Sequence, residues 1–378
     1  MNTEQRTWTL ANGWSPQESS FGEAAQLVLV FGARTRLEQA ERRNEIRRTY
    51  PNALIVGCST AGEISSTRVM DDSLVVTASR FDRVTVRSAC VRLSQTQNSH
   101  DAGQRLAGAL DPQGLAHVFV LSDGLQVNGS ELVRGLAEHL PAGVGLTGGM
   151  SGDGTKFERT CLLWEDQAEP GLVAAIGFYG EALRIGYGSL GGWKPFGPER
   201  IITRSQDNVL YALDDKGALD LYKRYLGEYA VGLPATALHF PLAVRDPQTN
   251  INLIRTILAV DEAKGSLVFA ANVPQGHRAR LMKSNAAGLI DGAVGAAKRA
   301  QSGLGTTTAQ LALLVSCVGR RLVLKQRTEE ELEGVRAVLG PDTLLAGFYS
   351  YSEIAPVDVS TRCELHNETM TVTLLSET

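Results

Sequence analysis

Short apolar runs ending in glycine recur along the chain: Gln26–Gly32 (QLVLVFG), Ala116–Gly124 (AHVFVLSDG) and Leu311–Gly319 (LALLVSCVG). Runs of this length bounded by glycine predict buried strands. A helical pattern follows each. In residues 36–51, Leu37, Ala40 and Ile46 recur at roughly helical spacing and Pro51 ends the pattern. SELVRGLAEHLP has Ser130 as N-cap and Pro141 as stop. TEEELEGVRAVLG opens with Thr328 and Glu331 at capping-box spacing. A second apolar segment comes next each time: NALIVG, GVGLTGG and TLLAG. Each leads into a loop that ends in an acid, Glu63 in GCSTAGE, Asp153 in GGMSGD and Glu353 in GFYSYSE. Strands close each unit, at 72–81 with 84–93, at LVAAIGFYG and at ETMTVTLLS. The first pair alternates apolar and polar positions, as half-buried antiparallel strands do. The chain therefore reads as three copies of strand, helix, strand, Gly-loop, strand.

A different stretch separates the second and third copies. Residues 186–207 are rich in glycine and aromatics and predict loop plus strand. NVLYALDD predicts a strand. ALDLYKRYLG predicts a helix with Ala218, Leu221, Tyr222 and Leu226 on one face. Then FPLAV, NLIRTILAV and GSLVFAANV predict strands, and residues 280–300 a long Ala/Gly-rich helix. Residues 1–23 are polar and predict an arm, and a domain boundary falls near 222–232. The fold class is α/β of mixed α+β type, with repeated units, mixed sheets flanked by helices, and two halves.

Composition narrows the classes. A chain of 378 residues holds two ordinary domains, and 43% hydrophobic against 21% charged residues supports a packed core. The net charge of −4 is spread along the chain and no basic tract runs five residues, which argues against nucleic acid. The N-terminus lacks a basic region followed by an apolar one, so it does not read as a secretory signal. Apolar runs fall short of the ~18–20 residues a membrane span needs. The five cysteines are scattered and never CxxC, which points to reduced thiols and a cytoplasmic location.

Familiar chemical motifs fail on context. GVGLTG at 143–148 has the spacing of a dinucleotide fingerprint but opens no periodic helix. GMSGDGTK lacks the G-K-[ST] of a P-loop. Ser59 and Ser151 sit in glycine-rich turns outside any G-x-S-x-G. No two of the six histidines are at H-x-x-x-H spacing, so a zinc site has no support. A single axial heme ligand would leave little spacing signature. Of the histidines, His366 in the polar CELHNETM follows the third Gly-loop and is the candidate ligand contact; a hydrogen-bonded structural role is the alternative. In α/β units ligands bind beyond the carboxyl ends of strands. Those ends carry Ser122 and Asp123, the three Gly-loops, and Tyr349 and Tyr351. GGWKPFGPER adds Trp193, Phe196 and Arg200. The inventory suits a small or planar ligand.

The stretches LIVGCSTAGEI, FVLSDGLQVNGSELVRGL, GGMSGDGTKF, GSLGGWKPFGPERIITRS, LDLYKRYLGE, GFYSYSEIAP and CELHNETMTVTLLSE resemble the FIST sensory module over about residues 24–376. The resemblance implies an arm at 1–23, a FIST N-type domain at 24–222 and a FIST C-type domain at 223–376. The chain looks most like the nitric-oxide-sensing hemoproteins of the family, the NosP group. That likeness implies a noncovalent heme b, nitric oxide as signal and a partner histidine kinase, with His366 the first choice of heme ligand. Glu368 stands where a glutamine would be expected in that motif, and His239 and His277 look particular to this chain. Other FIST proteins are thought to sense small molecules such as amino acids, which gives the alternative reading of a heme-free binding protein. The chain carries no kinase or output motif, so it reads as a sensor acting through a partner and not as an enzyme. A hydrolase or transferase using Ser59, Ser151 or Asp123 is the remaining alternative.

Overall fold

Three copies of one unit do form, each in its own sheet. The structure, a computed structural model, describes residues 1–357 and 362–378. The first repeat comprises β1 (Asn2–Thr9), β2 (Leu27–Gly32), α1 (Ala40–Thr49), β3 (Leu54–Ser59), β4 (Glu63–Ser65) and β5 (Leu74–Arg80). The second comprises β6 (Thr85–Arg92), α2 (Ser99–Gly108), β7 (Leu115–Ser122), α3 (Gly129–His139), β8 (Gly145–Met150), β9 (Leu162–Trp164) and β10 (Leu172–Tyr179). The third opens with β11 (Leu183–Leu190) and is then interrupted by an inserted domain. That insert contains β12 (Lys194–Gln206), β13 (Val209–Leu213), α4 (Ala218–Leu226), β14 (Leu242–Arg245), β15 (Asn252–Arg255), β16 (Ser266–Phe269) and β17 (Arg278–Lys283). The third repeat resumes with α5 (Ala286–Leu304), β18 (Leu311–Cys317), α6 (Val318–Leu324), α7 (Thr328–Leu339), β19 (Leu344–Ser350), β20 (Ser352–Pro356), β21 (Cys363–His366) and β22 (Met370–Glu377).

The pairing is the same in every repeat. β2–β3, β7–β8 and β18–β19 are parallel, and each pair is joined by a helical crossover, which parallel strands require. The closing strand runs antiparallel beside the first of each pair, and the strand that precedes the repeat covers the outer edge. The segment after the second parallel strand then leaves its own sheet. β4 pairs with β19 of the third repeat, β9 with β3 of the first, and β20 with β8 of the second. The exchange is cyclic, so each sheet edge is closed by a neighbour and the three repeats interlock. One apolar core lies between the sheets and includes Phe31, Phe119, Phe178, Leu313 and Phe348. Phe31 and Phe348 meet at 4.7 Å between ring centroids.

Gly57, Gly148 and Gly347 hold equivalent positions, paired with Val30, Val120 and Leu314. A Cβ there would lie 2.0, 2.0 and 1.9 Å from those residues' carbonyl oxygens. Only glycine lets the parallel strands approach so closely. The insert has a separate sheet and a separate core, with Leu219, Tyr222 and Leu226 of α4 packed among Leu267 and Phe269.

Several expectations are corrected. Residues 2–9 are not an arm but an edge strand paired along its length with β5. The Met1 ammonium reaches Glu377 at 2.7 Å. The helix expected at 36–51 breaks into a turn at Arg34–Leu37 and α1. Asn128, not Ser130, caps α3 by accepting the Glu131 amide. FYSYSEI is not a loop: β19 and β20 run on either side of Tyr351. Residues 280–283 belong to β17, and α5 starts after the cap Asn285. Glu331 caps nothing; it is fully buried against Arg320. Among the described residues no helix is long and apolar enough to cross a membrane.

Candidate functional site

The loops of the three repeats meet at the carboxyl ends of the parallel strands. Their backbones bond across repeats: Ala61 N to Tyr349 O, Tyr349 N to Gly62 O, Gly152 N to Ser59 O, Gly154 N to Thr60 O, and Tyr351 N to Met150 O. Two carboxylates sit below this knot in matching frames. Glu63 accepts from Thr60 Oγ1 and from Ser73 Oγ at 2.7 Å. Glu353 bonds Ser350 Oγ at 2.6 Å and accepts from Thr369 Oγ1 at 2.8 Å. Ser73 and Thr369 both stand one residue before a closing strand. Burial outweighs these hydrogen bonds and pushes Glu63 up to about 7 and Glu353 up to about 8.

The expected third acid is not Asp153. In register, Glu63 faces Phe348 and Glu353 faces Gly149, and the matching pair is Leu162 with Cys58. Leu162 belongs to the apolar core. Asp153 lies instead in the longer loop between β8 and β9. It accepts the amides of Phe157, Glu158 and Arg159 at 2.9, 3.0 and 2.9 Å, together with the Tyr351 hydroxyl. Burial opposes its ionisation, but those four donors together hold its pKa below the ordinary value.

Two neighbouring cavities open over this junction. The first, about 260 Å³, is lined by Arg34, Thr60, Glu63, Asp71, Asp153 and Lys156 among others. The second, about 620 Å³, shares Ala61, Asp71 and Gly154 with it and adds Arg321, Lys325 and Glu329. Arg321 spans two repeats. It leaves α6, donates to both oxygens of Asp71 at 2.8 and 2.6 Å and to Ala61 O at 2.6 Å, and lies 5.6 Å from the Tyr349 ring centre. The Asp71 carboxylate raises its pKa. Lys156 has no carboxylate within 4 Å among the described residues. The lining thus presents both charge signs to a small molecule.

The residues expected to form the site fall into four pairs. Ser122 and Asp123 are buried beneath the junction. Asp123 accepts the amides of Leu125, Gln126 and Gly171, so it fastens the loop and the start of β10. Tyr349 and Tyr351 are at the junction as supports: Tyr349 donates to Glu331 at 2.6 Å, and Tyr351 stacks on Phe157 at 4.4 Å. Phe196 and Arg200 lie in the insert, where Arg200 pairs with Asp214 at 2.7 Å and contacts Tyr225. Trp193 and His366 lie apart from both cavities. Trp193 Nε1 donates to Glu368 O at 2.9 Å. His366 is buried in β21 with Nε2 bonded to Ala355 O at 2.9 Å, and burial lowers its pKa to about 4. None of these eight lines either cavity. Arg34, Lys156 and Arg321 were missed, although Arg321 stands only four residues beyond the end of an apolar strand.

The serines are tied to the backbone: Ser59 Oγ accepts the Cys161 amide and Ser151 Oγ the Gly124 amide. The described histidine hydrogen bonds go to Glu138, Thr147, Gly135 and Ala355, not to these serines. Among the described residues no group of three His, Cys, Asp or Glu is placed to hold a metal.

Fold and cavities define an α/β ligand-binding module. The FIST N domain matches residues 26–216 and the FIST C domain residues 218–356. The chain belongs to the FIST family, and these domains point to small-ligand sensing in signal transduction. No curated protein matches the sequence. Two solved cyanuric acid hydrolases are similar at a distant level. One, from A. caulinodans, is 14% identical over 78% of this chain and 99% of its own, with a TM-score of 0.19. The other, described as evolutionary innovation by structural concatenation, is 9% identical over 100% and 99%, with a TM-score of 0.30. Neither bears on the activity of this chain.

Proposed function

We propose that the chain is a small-molecule sensor that takes a polar ligand of both charge signs, such as a free amino acid, over the strand ends and signals to a partner histidine kinase. The observation that carries this reading is Arg321. It joins α6 of the third repeat to Asp71 and Ala61 of the first, at the wall between the two cavities. A ligand carboxylate that drew Arg321 from Asp71 would release one repeat's loop from the other's helix. A ligand shifts a conformational equilibrium only through such differential contacts. The kinase partner and a cytoplasmic location rest on the family resemblance and the scattered cysteines.

Heme with nitric oxide as signal is the narrower expectation. The residues at His366 do not fit it. Its Nε2 is held by Ala355 O beside the β20–β21 ladder, and it lines neither cavity over the strand ends. A Soret band that forms on heme addition, shifts with nitric oxide and is lost in His366→Ala would restore that reading.

The test is calorimetric titration of the full chain with the twenty amino acids. At least one should bind saturably, and Arg321→Met should weaken it by about tenfold or more, the scale of a charged hydrogen bond. No binding by any, or binding indifferent to both Arg321→Met and Lys156→Met, would overturn the proposal.

A further inference from the structure

The cleft between the insert and the second repeat holds a second set of chemistry, sharing no lining residue with the strand-end cavities. Its volume is about 380 Å³, within the range of small-molecule sites. One wall is the insert, with Val244, Ile251, Leu253 and Arg255; the opposite wall is α3 and β21, with Cys363. Asn272 bridges the walls at the base, placed between Asn128 and Glu131 of the helix N-terminus.

Arg255 is the unusual member. It is 5% exposed and lines the cleft. Nε donates to Asn272 O at 3.1 Å and Nη1 to Leu365 O at 2.8 Å. Nη2 donates to nothing among the described residues, and no carboxylate there comes within ion-pair distance of Arg255. The other two arginines of the cleft differ: Arg134 pairs with Glu131 and Arg362 with Glu138, and both are exposed. The cleft-lining Glu364 carboxylate acts on Arg255 from beyond ion-pair distance, and a buried guanidinium without a carboxylate in contact is costly to maintain. Burial lowers its pKa to about 10, so it remains charged at neutral pH. The bond to Leu365 O explains how Arg255 tethers the insert to β21. It leaves unexplained why a charge, with one donor group free, should stand at the end of an apolar trough.

We propose that this cleft binds a short aliphatic carboxylate, its head group on Arg255 Nη2 and its tail along Val244, Ile251 and Leu253. A ligand carboxylate supplies a counter-ion in direct contact, nearer than Glu364, and accepts the free donor, and the charge-assisted contact strengthens where water is excluded. The apolar wall of the insert takes the methylenes. Because the site lies between insert and core, its occupant fastens the one to the other.

The experiment is calorimetric titration of the full chain with butyrate, hexanoate and octanoate, with norleucine and inorganic phosphate alongside. Affinity should rise about fourfold for each methylene added until the trough is full, the transfer value of a buried methylene. Arg255→Met should lose about tenfold or more in hexanoate affinity. Ile251→Trp, which fills the trough and leaves the guanidinium in place, should also abolish binding, and it keeps the test open should Arg255→Met not fold. Absence of saturable hexanoate binding would overturn the proposal, as would binding equal in wild type and Ile251→Trp. Phosphate binding more tightly than hexanoate would also overturn it, as would norleucine doing so in Arg321→Met, where the strand-end site is weakened, since each would show a different chemistry at the cleft. Arg321→Met should leave hexanoate binding unchanged, which separates this cleft from the strand-end cavity.

Discussion

Replacing Glu353 with glutamine tests the description of the buried junction most directly. The side chain is fully buried, and burial lifts its pKa from 4.5 to about 8. At neutral pH the carboxyl is therefore mostly protonated. Thr369 N and Oγ1 donate to one oxygen, and Ser350 Oγ lies 2.6 Å from the other. Ser350 Oγ can itself donate to Ser316 O at 3.2 Å, leaving its lone pair to accept the carboxyl proton. Glutamine reproduces that arrangement, with its amide NH₂ in place of the O–H. The sign follows from linkage. The folded pKa lies above the unfolded one, so the favourable contribution is complete below about pH 4.5 and is lost as pH rises through about 8. At 1.36 kcal/mol per pH unit, the wild type loses about 3 kcal/mol from this group by pH 7 and about 5 kcal/mol by pH 9. Glu353→Gln does not titrate and escapes that loss. Urea denaturation from pH 5 to 9 should give variant and wild type nearly equal at pH 5, with the variant gaining steadily above it. A constant difference across the range, or a variant less stable at pH 9, would refute the neutral buried carboxyl.

Three further outcomes are expected. Gly57→Ala would force a Cβ to 2.0 Å from Val30 O, and thermal denaturation should show a loss of about 3 kcal/mol or more, with Gly148→Ala and Gly347→Ala alike. Arg320→Met leaves Glu331 without its ion partner at 2.6 Å in a fully buried site; this should cost about 3–5 kcal/mol in urea, and Arg320→Met with Glu331→Leu should cost less than Arg320→Met alone. Burial disfavours the ionised Glu377, but the amides of Asp82, Arg83 and Val84 and the Met1 ammonium prevail and hold its pKa down to about 2. Its contribution is present above pH 4.5 and lost as pH falls through about 2, so the stability deficit of Glu377→Gln should shrink between pH 5 and pH 2.

The repeats were legible because their strands are buried on both faces. QLVLVFG and LALLVSCVG carry no alternation to misread, and a close glycine recurs within the second parallel strand of each pair. Position along the chain could not reveal the exchange of β4, β9 and β20 between sheets, since each is three to five residues long and reads as loop. That is why FYSYSEI looked like a turn and residues 2–9 like an arm: only the edge that β5 offers makes a strand of the latter. The acids show the same limit. Glu63 and Glu353 share their spacing from glycine, and the structure gives them matching partners. Asp153 shared only its neighbourhood, because spacing counts residues and register counts hydrogen bonds. The site residues chosen for aromatic or hydroxyl character turned out to be supports, since a side chain that packs well is seldom one left facing a cavity.

Both candidate binding places lie where the threefold pattern fails. In two repeats the junction is closed by a Ser/Thr–Glu–Ser/Thr frame. In the second, Leu162 takes the acid's place and Gly171 that of the hydroxyl. Asp123 then accepts the Gly171 amide in compensation. The loop freed from that frame carries Asp153, Gly154 and Lys156 into the first cavity. The third repeat departs in another way, through its insert, and the cleft with Arg255 lies where that insert meets the second repeat. Equivalent frames satisfy their own polar groups: Glu63 borders the first cavity but is already held by Thr60 and Ser73. A departure exposes groups that the repeat would otherwise have matched, so ligand chemistry in this fold should be sought at the positions that do not superimpose.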